Sequence, residues 1–78
     1  MKIEVLGTGC TKCQKLVALV EKVVADLGLA AQVTKVERID EIMKYGVPFT
    51  PGLVINGKVV AAGKLPKATE IENWLREA

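Results

Sequence analysis

The chain contains no histidine and no serine. A Ser-His triad, a Cys-His dyad and any site built on imidazole ligands are therefore excluded. Cysteine is equally scarce: two residues cannot complete a four-thiolate zinc site within one chain, nor build a dense disulfide scaffold. Only three aromatic residues are present, and the 11 basic and 9 acidic side chains are interspersed, for a net charge of +2. That distribution leaves no electrostatic footprint for nucleic acid, and no nucleic-acid partner is expected. The longest unbroken apolar run is Leu16 to Val20. It falls far short of the roughly 20 residues that a membrane span needs, so no membrane partner is expected either. The N-terminal Met-Lys-Ile-Glu-Val-Leu carries an acid where a signal peptide carries its apolar stretch, so the expected location is the cytoplasm. In that compartment a Cys-x-x-Cys pair reads as redox or metal chemistry rather than as a structural staple.

What remains is a globular composition, half hydrophobic and 26% charged, in 78 residues. This length predicts a single domain over residues 1–78. The segments fall in a clear order. Ile3 to Leu6 is short and apolar, which predicts a strand over 2–6 that Gly7-Thr8-Gly9 ends. Leu16, Leu19, Val20, Val23, Val24 and Leu27 then form one apolar stripe with a period near 3.6, predicting a helix over 11–27 stopped at Gly28. Residues 31–37 predict a second strand. A short helix follows over 39–45, with Ile39, Ile42 and Met43 on one face. Gly52 to Ile55 and Lys58 to Ala62 flank Asn56-Gly57, the strongest hairpin signal in the chain. Pro66 opens a last helix that buries Ile71, Trp74 and Leu75. The expected fold is α/β: a four-stranded mixed sheet with three helices in the order β-α-β-α-β-β-α. Strands separated by helices are expected to pair in parallel, with the hairpin adding one antiparallel strand.

Cys10-Thr11-Lys12-Cys13 lies between the first strand and the first helix. The i, i+3 spacing brings both sulfurs to one side of a helical turn, within bridging reach. Free N–H groups and the helix dipole favour negative charge there, so a thiolate at Cys10 is stabilised. Lys12 and Lys15 add positive charge nearby, weakened by solvent. The thiolate attacks in disulfide exchange, which makes Cys10 the nucleophile and the more deeply placed Cys13 the resolving thiol. The same pair also suits Cu(I), or one half of a zinc site, so a metal-binding Cys-x-x-Cys chaperone is the alternative.

The Cys-x-x-Cys opening the first helix, Thr50-Pro51 just before a strand, and the Asn56-Gly57 hairpin together resemble the thioredoxin-fold oxidoreductases. Along essentially its whole length the chain is similar to the small archaeal and bacterial thioredoxin-like proteins of glutaredoxin size, called redox-active disulfide proteins. The resemblance implies a dithiol–disulfide oxidoreductase whose redox group is its own disulfide, with no organic cofactor and no metal. It implies protein disulfides as substrates, and a thioredoxin-reductase-like protein or a low-molecular-weight thiol as electron donor. A monomer is expected. The resemblance further implies that Pro51 is cis and faces the disulfide, while Thr50 pairs with substrate backbone. Thioredoxins carry a buried acid six residues before the first cysteine. Here that offset falls on Glu4, which would assist proton transfer at Cys13 if it pointed inward; the plain expectation for a strand glutamate is exposure. Lys35 similarly parallels a thioredoxin lysine.

The chain also departs from its relatives. Thr11-Lys12 stands between the cysteines where thioredoxins have Gly-Pro and glutaredoxins often Pro-Tyr, and no Trp precedes Cys10. Ala61-Ala62-Gly63-Lys64 lacks the Gly-Gly…Asp pattern of glutathione-binding glutaredoxins. The metal-delivery alternative fits less well than the redox reading, because heavy-metal-associated domains run β-α-β-β-α-β and end in a strand. Val47 and Phe49, beside Pro51, are candidates for an exposed apolar surface that docks a partner near Cys10.

Overall fold

A computed structural model describes all residues, Met1–Ala78. The elements are β1 (Lys2–Leu6), α1 (Thr11–Leu27), β2 (Gln32–Val36), α2 (Ile39–Lys44), β3 (Gly52–Ile55), β4 (Lys58–Ala62) and α3 (Ala68–Glu77). The strands form one mixed sheet in the order β2-β1-β3-β4. No helix is long and apolar enough to cross a membrane.

Alternation along β1 divides the core in two. Ile3 and Val5 point to one face, where Leu16, Val20 and Val23 of α1 meet Leu53, Ile55, Ile71 and Leu75. These α1 residues belong to the apolar stripe read from the sequence, and α3 packs beside α1 on the same face of the sheet. Leu6 points to the opposite face and joins Val36, Ile42, Val47 and Val54. The larger cluster carries most of the burial, at roughly 1.5–3 kcal/mol for each fully buried aliphatic side chain. The helix ends where Gly28 and Leu29 turn their N–H groups back to Ala25 and Val24.

One strand runs against expectation. β1 and β2 are parallel, but β3 is antiparallel to β1, so two of the three pairings are antiparallel. The cause is the length of α2. The chain leaves β2 at Val36, opposite Leu6, and enters β3 at Gly52, also opposite Leu6. The six residues of α2 rise only about 9 Å. They do not carry the chain back along the sheet, so β3 starts at the end where β2 stopped. Thr50-Pro51, just before β3, is thereby placed at the same end of the sheet as the loop that leads from β1 to Cys10.

The hairpin lies at the far end. Asn56 and Lys2 exchange two hydrogen bonds there: Asn56 N–H donates to the Lys2 carbonyl at 2.8 Å, and Lys2 N–H donates to Asn56 Oδ1 at 3.0 Å. Asn56 and Gly57 take φ of 50° and 82°, the positive values that a type I′ turn requires.

Three further expectations need correction. Of the three apolar residues expected on one face of α2, Ile39 and Met43 are exposed and only Ile42 is buried. Pro66 is buried but lies outside α3, which starts at Ala68 with Glu70 reaching back to the Lys67 N–H at 3.2 Å. Trp74 is half-buried, while Ile71 and Leu75 are fully enclosed.

Candidate active site

The site begins with the cap of α1. Cys10 is the N-cap residue, with extended backbone angles (φ −66°, ψ 164°), and its Sγ accepts the Cys13 N–H at 3.2 Å. A sulfur in this place satisfies one of the free donors at the helix start, as a Ser or Asp oxygen does in other helices. Cys10 and Cys13 are joined in a disulfide, with their Cα atoms 5.0 Å apart. The two sulfurs differ in access: Cys10 is exposed, whereas Cys13 is only 4% exposed. Thr11 and Lys12 between them are exposed.

Gly7 supplies room for the inner sulfur. A β-carbon at Gly7 would overlap Cys13 Sγ and stand 2.9 Å from Cys13 Cβ. The same position lies 3.9 Å from Thr50 Cβ, which brings Thr50 to the inner side of the disulfide. Gly7 is part of the wall around the inner sulfur, whereas sequence reading treated it only as a strand breaker. A glycine three residues before a Cys-x-x-Cys is a weak signal, because its need is for space and not for an unusual backbone angle.

The Thr50–Pro51 peptide is cis, Thr50 is exposed, and Pro51 is buried. The Pro51 carbonyl accepts the Gly63 N–H at 2.8 Å, which ties the proline turn to the end of β4. Phe49 is 70% exposed and packs on Gly63: a β-carbon on Gly63 would lie 3.0 Å from Phe49 Cβ. Val47, by contrast, is 5% exposed and belongs to the core, so Phe49 alone of the two presents an apolar surface.

An open groove of about 360 Å³ runs beside Cys13, between α1 and the end of β2. Val5 and Val17 contribute apolar walls, and Gln14, Glu21, Lys35 and Glu37 contribute polar ones. Lys35 pairs with Val5 across β1 and β2, so it lies on the α1 side of the sheet.

Glu4 is buried, not exposed as a strand glutamate ordinarily is. It does not share the groove with Val5. Alternation turns it to the α2 side, where its Oε2 accepts a 2.7 Å hydrogen bond from the Tyr45 hydroxyl and its Oε1 lies 3.9 Å from Lys2 Nζ. The bond holds the Tyr45 proton, so the phenol titrates above its ordinary value; burial and the charges of Glu4 and Glu41 push the same way. Sequence reasoning missed Tyr45 because its partner is 41 residues away.

A buried and an exposed sulfur joined at the start of a helix make a two-electron centre that opens and closes by thiol–disulfide exchange. The hairpin β3-β4 follows α2 and not α1, unlike the order β-α-β-β-α-β of a heavy-metal-associated domain, and the two sulfurs are bonded to each other, which favours redox chemistry over metal delivery. Residues 1–76 match the family model of the thioredoxin domain. The chain is 35% identical over 75 residues to a thioredoxin of Methanothermobacter thermautotrophicus, covering 96% of this chain and 97% of that one. It is 38% identical over 74 residues to a thioredoxin of Methanocaldococcus jannaschii, covering 95% of this chain and 85% of the other. With this fold and this Cys10–Cys13 pair, the chain belongs to the thioredoxin family and is a dithiol–disulfide oxidoreductase.

Proposed function

We propose that residues 1–78 act as one monomeric domain that reduces protein disulfides, with Cys10 as nucleophile and Cys13 as resolving thiol. The unequal access of the two sulfurs carries this assignment: Cys10 is exposed at the helix N-cap, and Cys13 is buried one turn in. In the reduced protein the Cys13 N–H and the helix dipole face a thiolate on Cys10. That thiolate attacks one sulfur of the substrate disulfide. A Cys10–substrate mixed disulfide forms, and the other substrate sulfur leaves as a thiolate. Cys13 then loses its proton and attacks Cys10 Sγ. The Cys10–Cys13 disulfide closes, and the second substrate thiolate is released. Two electrons pass to the substrate; the one proton released by Cys13 and a second from water protonate the two product thiolates.

Thr50, exposed beside the disulfide, offers its backbone to an extended substrate segment, and Pro51 shapes the turn that presents it. Thr11 and Lys12 flank the entry, and Phe49 gives the segment an apolar contact. The redox group is the internal disulfide, so no organic cofactor takes part. A thioredoxin-reductase-like protein or a low-molecular-weight thiol returns the pair to the dithiol. A reducing compartment, the cytoplasm, suits an exposed attacking thiol. Glu4 has no place in this scheme as proton acceptor for Cys13, because it is held by Tyr45 on the other face of the sheet.

The test is a pair of single substitutions assayed on insulin disulfides. Cys13→Ser should accumulate a mixed disulfide at Cys10, visible by mass. Cys10→Ser should form none and reduce nothing. Trapping at Cys13 in the Cys10→Ser protein, with equal efficiency, would reverse the assignment.

A further inference from the structure

We propose that Gln14 is a positioning residue that holds Cys10 at the start of α1 by binding the peptide groups on both sides of it. This rests on the reading of Cys10 as the attacking thiol. The sequence places Gln14 on the polar side of α1, and the residue is exposed. Its side chain nevertheless turns back along the chain: Nε2 donates to the Gly9 carbonyl at 3.0 Å. Its backbone N–H donates to the Cys10 carbonyl at 2.9 Å. The carbonyl before Cys10 and the carbonyl after it therefore both accept from one residue.

The loop needs such a tie. Gly7-Thr8-Gly9 has two glycines, and Gly9 sits at φ 87°, so local sterics define its path weakly. Cys10 must keep its extended cap conformation for Sγ to receive the Cys13 N–H. In the oxidised protein the disulfide enforces this. On reduction the covalent link is gone while the thiolate still requires the same placement. The two hydrogen bonds from Gln14 are not affected by reduction, so their contribution is greatest in the dithiol state, where attack begins.

The experiment measures the alkylation rate of the reduced full-length protein by iodoacetamide against pH, with mass mapping to Cys10. Gln14→Met keeps the length and helix preference of the side chain but has no donor. Gln14→Glu keeps the shape but sets an accepting carboxylate near the thiolate. In Gln14→Met the Cys10 rate at acidic pH should fall about two- to tenfold, the size of one lost hydrogen bond, and the midpoint of the profile should move to higher pH. Gln14→Glu should shift it further, because it adds a like charge. Thermal unfolding of the oxidised forms should be unchanged, since the side chain is exposed and the disulfide then holds the loop. Superimposable profiles for wild type and both variants overturn the inference while leaving Cys10 as nucleophile. If wild type alkylates first at Cys13, the assignment of the attacking thiol fails, and the inference with it.

Discussion

Gly7 and Cys13 are in such close contact that the inner sulfur occupies the space a β-carbon on Gly7 would take. The neighbour that would have to give way is a buried sulfur and its Cβ, fixed on the first turn of α1. Gly7→Ala is therefore an overpacking change at the redox centre, of the kind that costs about 1–3 kcal/mol. Urea denaturation of the oxidised protein should show that loss. Insulin reduction should fall as well, because Cys13 is displaced from Cys10. Wild-type stability and activity in Gly7→Ala would show that the first turn moves freely, contrary to this packing.

Tyr45 and Glu4 predict a dependence on alkaline pH. The neutral phenol donates to the carboxylate, so the folded state binds the Tyr45 proton more tightly than the unfolded chain does. A group whose pKa is raised on folding stabilises fully below its unfolded value, about 10 for tyrosine, and loses that contribution as pH rises through the folded value. Wild-type stability should drop more steeply above pH 10 than that of Tyr45→Phe. At neutral pH the variant should be the less stable of the two, because the buried Glu4 carboxylate loses its donor. Denaturation midpoints measured between pH 7 and 11 give both comparisons, and parallel curves would remove the tether.

The parts of the fold that were legible in sequence are those specified by nearby residues. The stripe from Leu16 to Leu27 marked α1, Asn56-Gly57 marked the hairpin, and Cys10-Thr11-Lys12-Cys13 marked the disulfide at the start of α1. The misreadings share a different cause. Ile39 and Met43 repeat with helical spacing, but α2 is six residues long and only Ile42 meets the second core cluster. Glu4 looks like a solvated strand residue until Tyr45 arrives from 41 positions away. β3 reversed direction because a short α2 returns the chain to the same end of the sheet. Gly7 and Gln14 carry no local pattern at all; their roles follow from which atoms the fold sets beside them.

The hairpin offers a separation of stability from chemistry. Asn56-Gly57 lies at the end of the sheet remote from the disulfide, joined to Lys2 at the start of β1. Gly57 has φ 82°, where a side chain costs roughly 1–2 kcal/mol. Gly57→Ala should lower the unfolding free energy by about that amount. Below its melting range, its insulin-reduction rate and its Cys10 alkylation profile should match wild type. A changed profile would mean that strain passes along β3 to the proline turn.

Phe49 tests how substrate is held apart from how sulfur reacts. Phe49 is largely exposed, so truncation removes little from the core, and it packs against Gly63, where a β-carbon would crowd it. It directly precedes Thr50, the residue proposed to pair with substrate backbone, so an extended segment bound there passes beside the ring. Loss of roughly 1 kcal/mol of apolar contact corresponds to about fivefold in kcat/KM. Phe49→Ala should show that loss on insulin and keep its full rate on a small aromatic disulfide, which has no flanking residues to bind. An equal loss on both substrates would mean that Phe49 supports the position of Thr50-Pro51 instead of contacting substrate. Unchanged rates on both would place the bound segment on the other side of the disulfide, along the groove between α1 and β2.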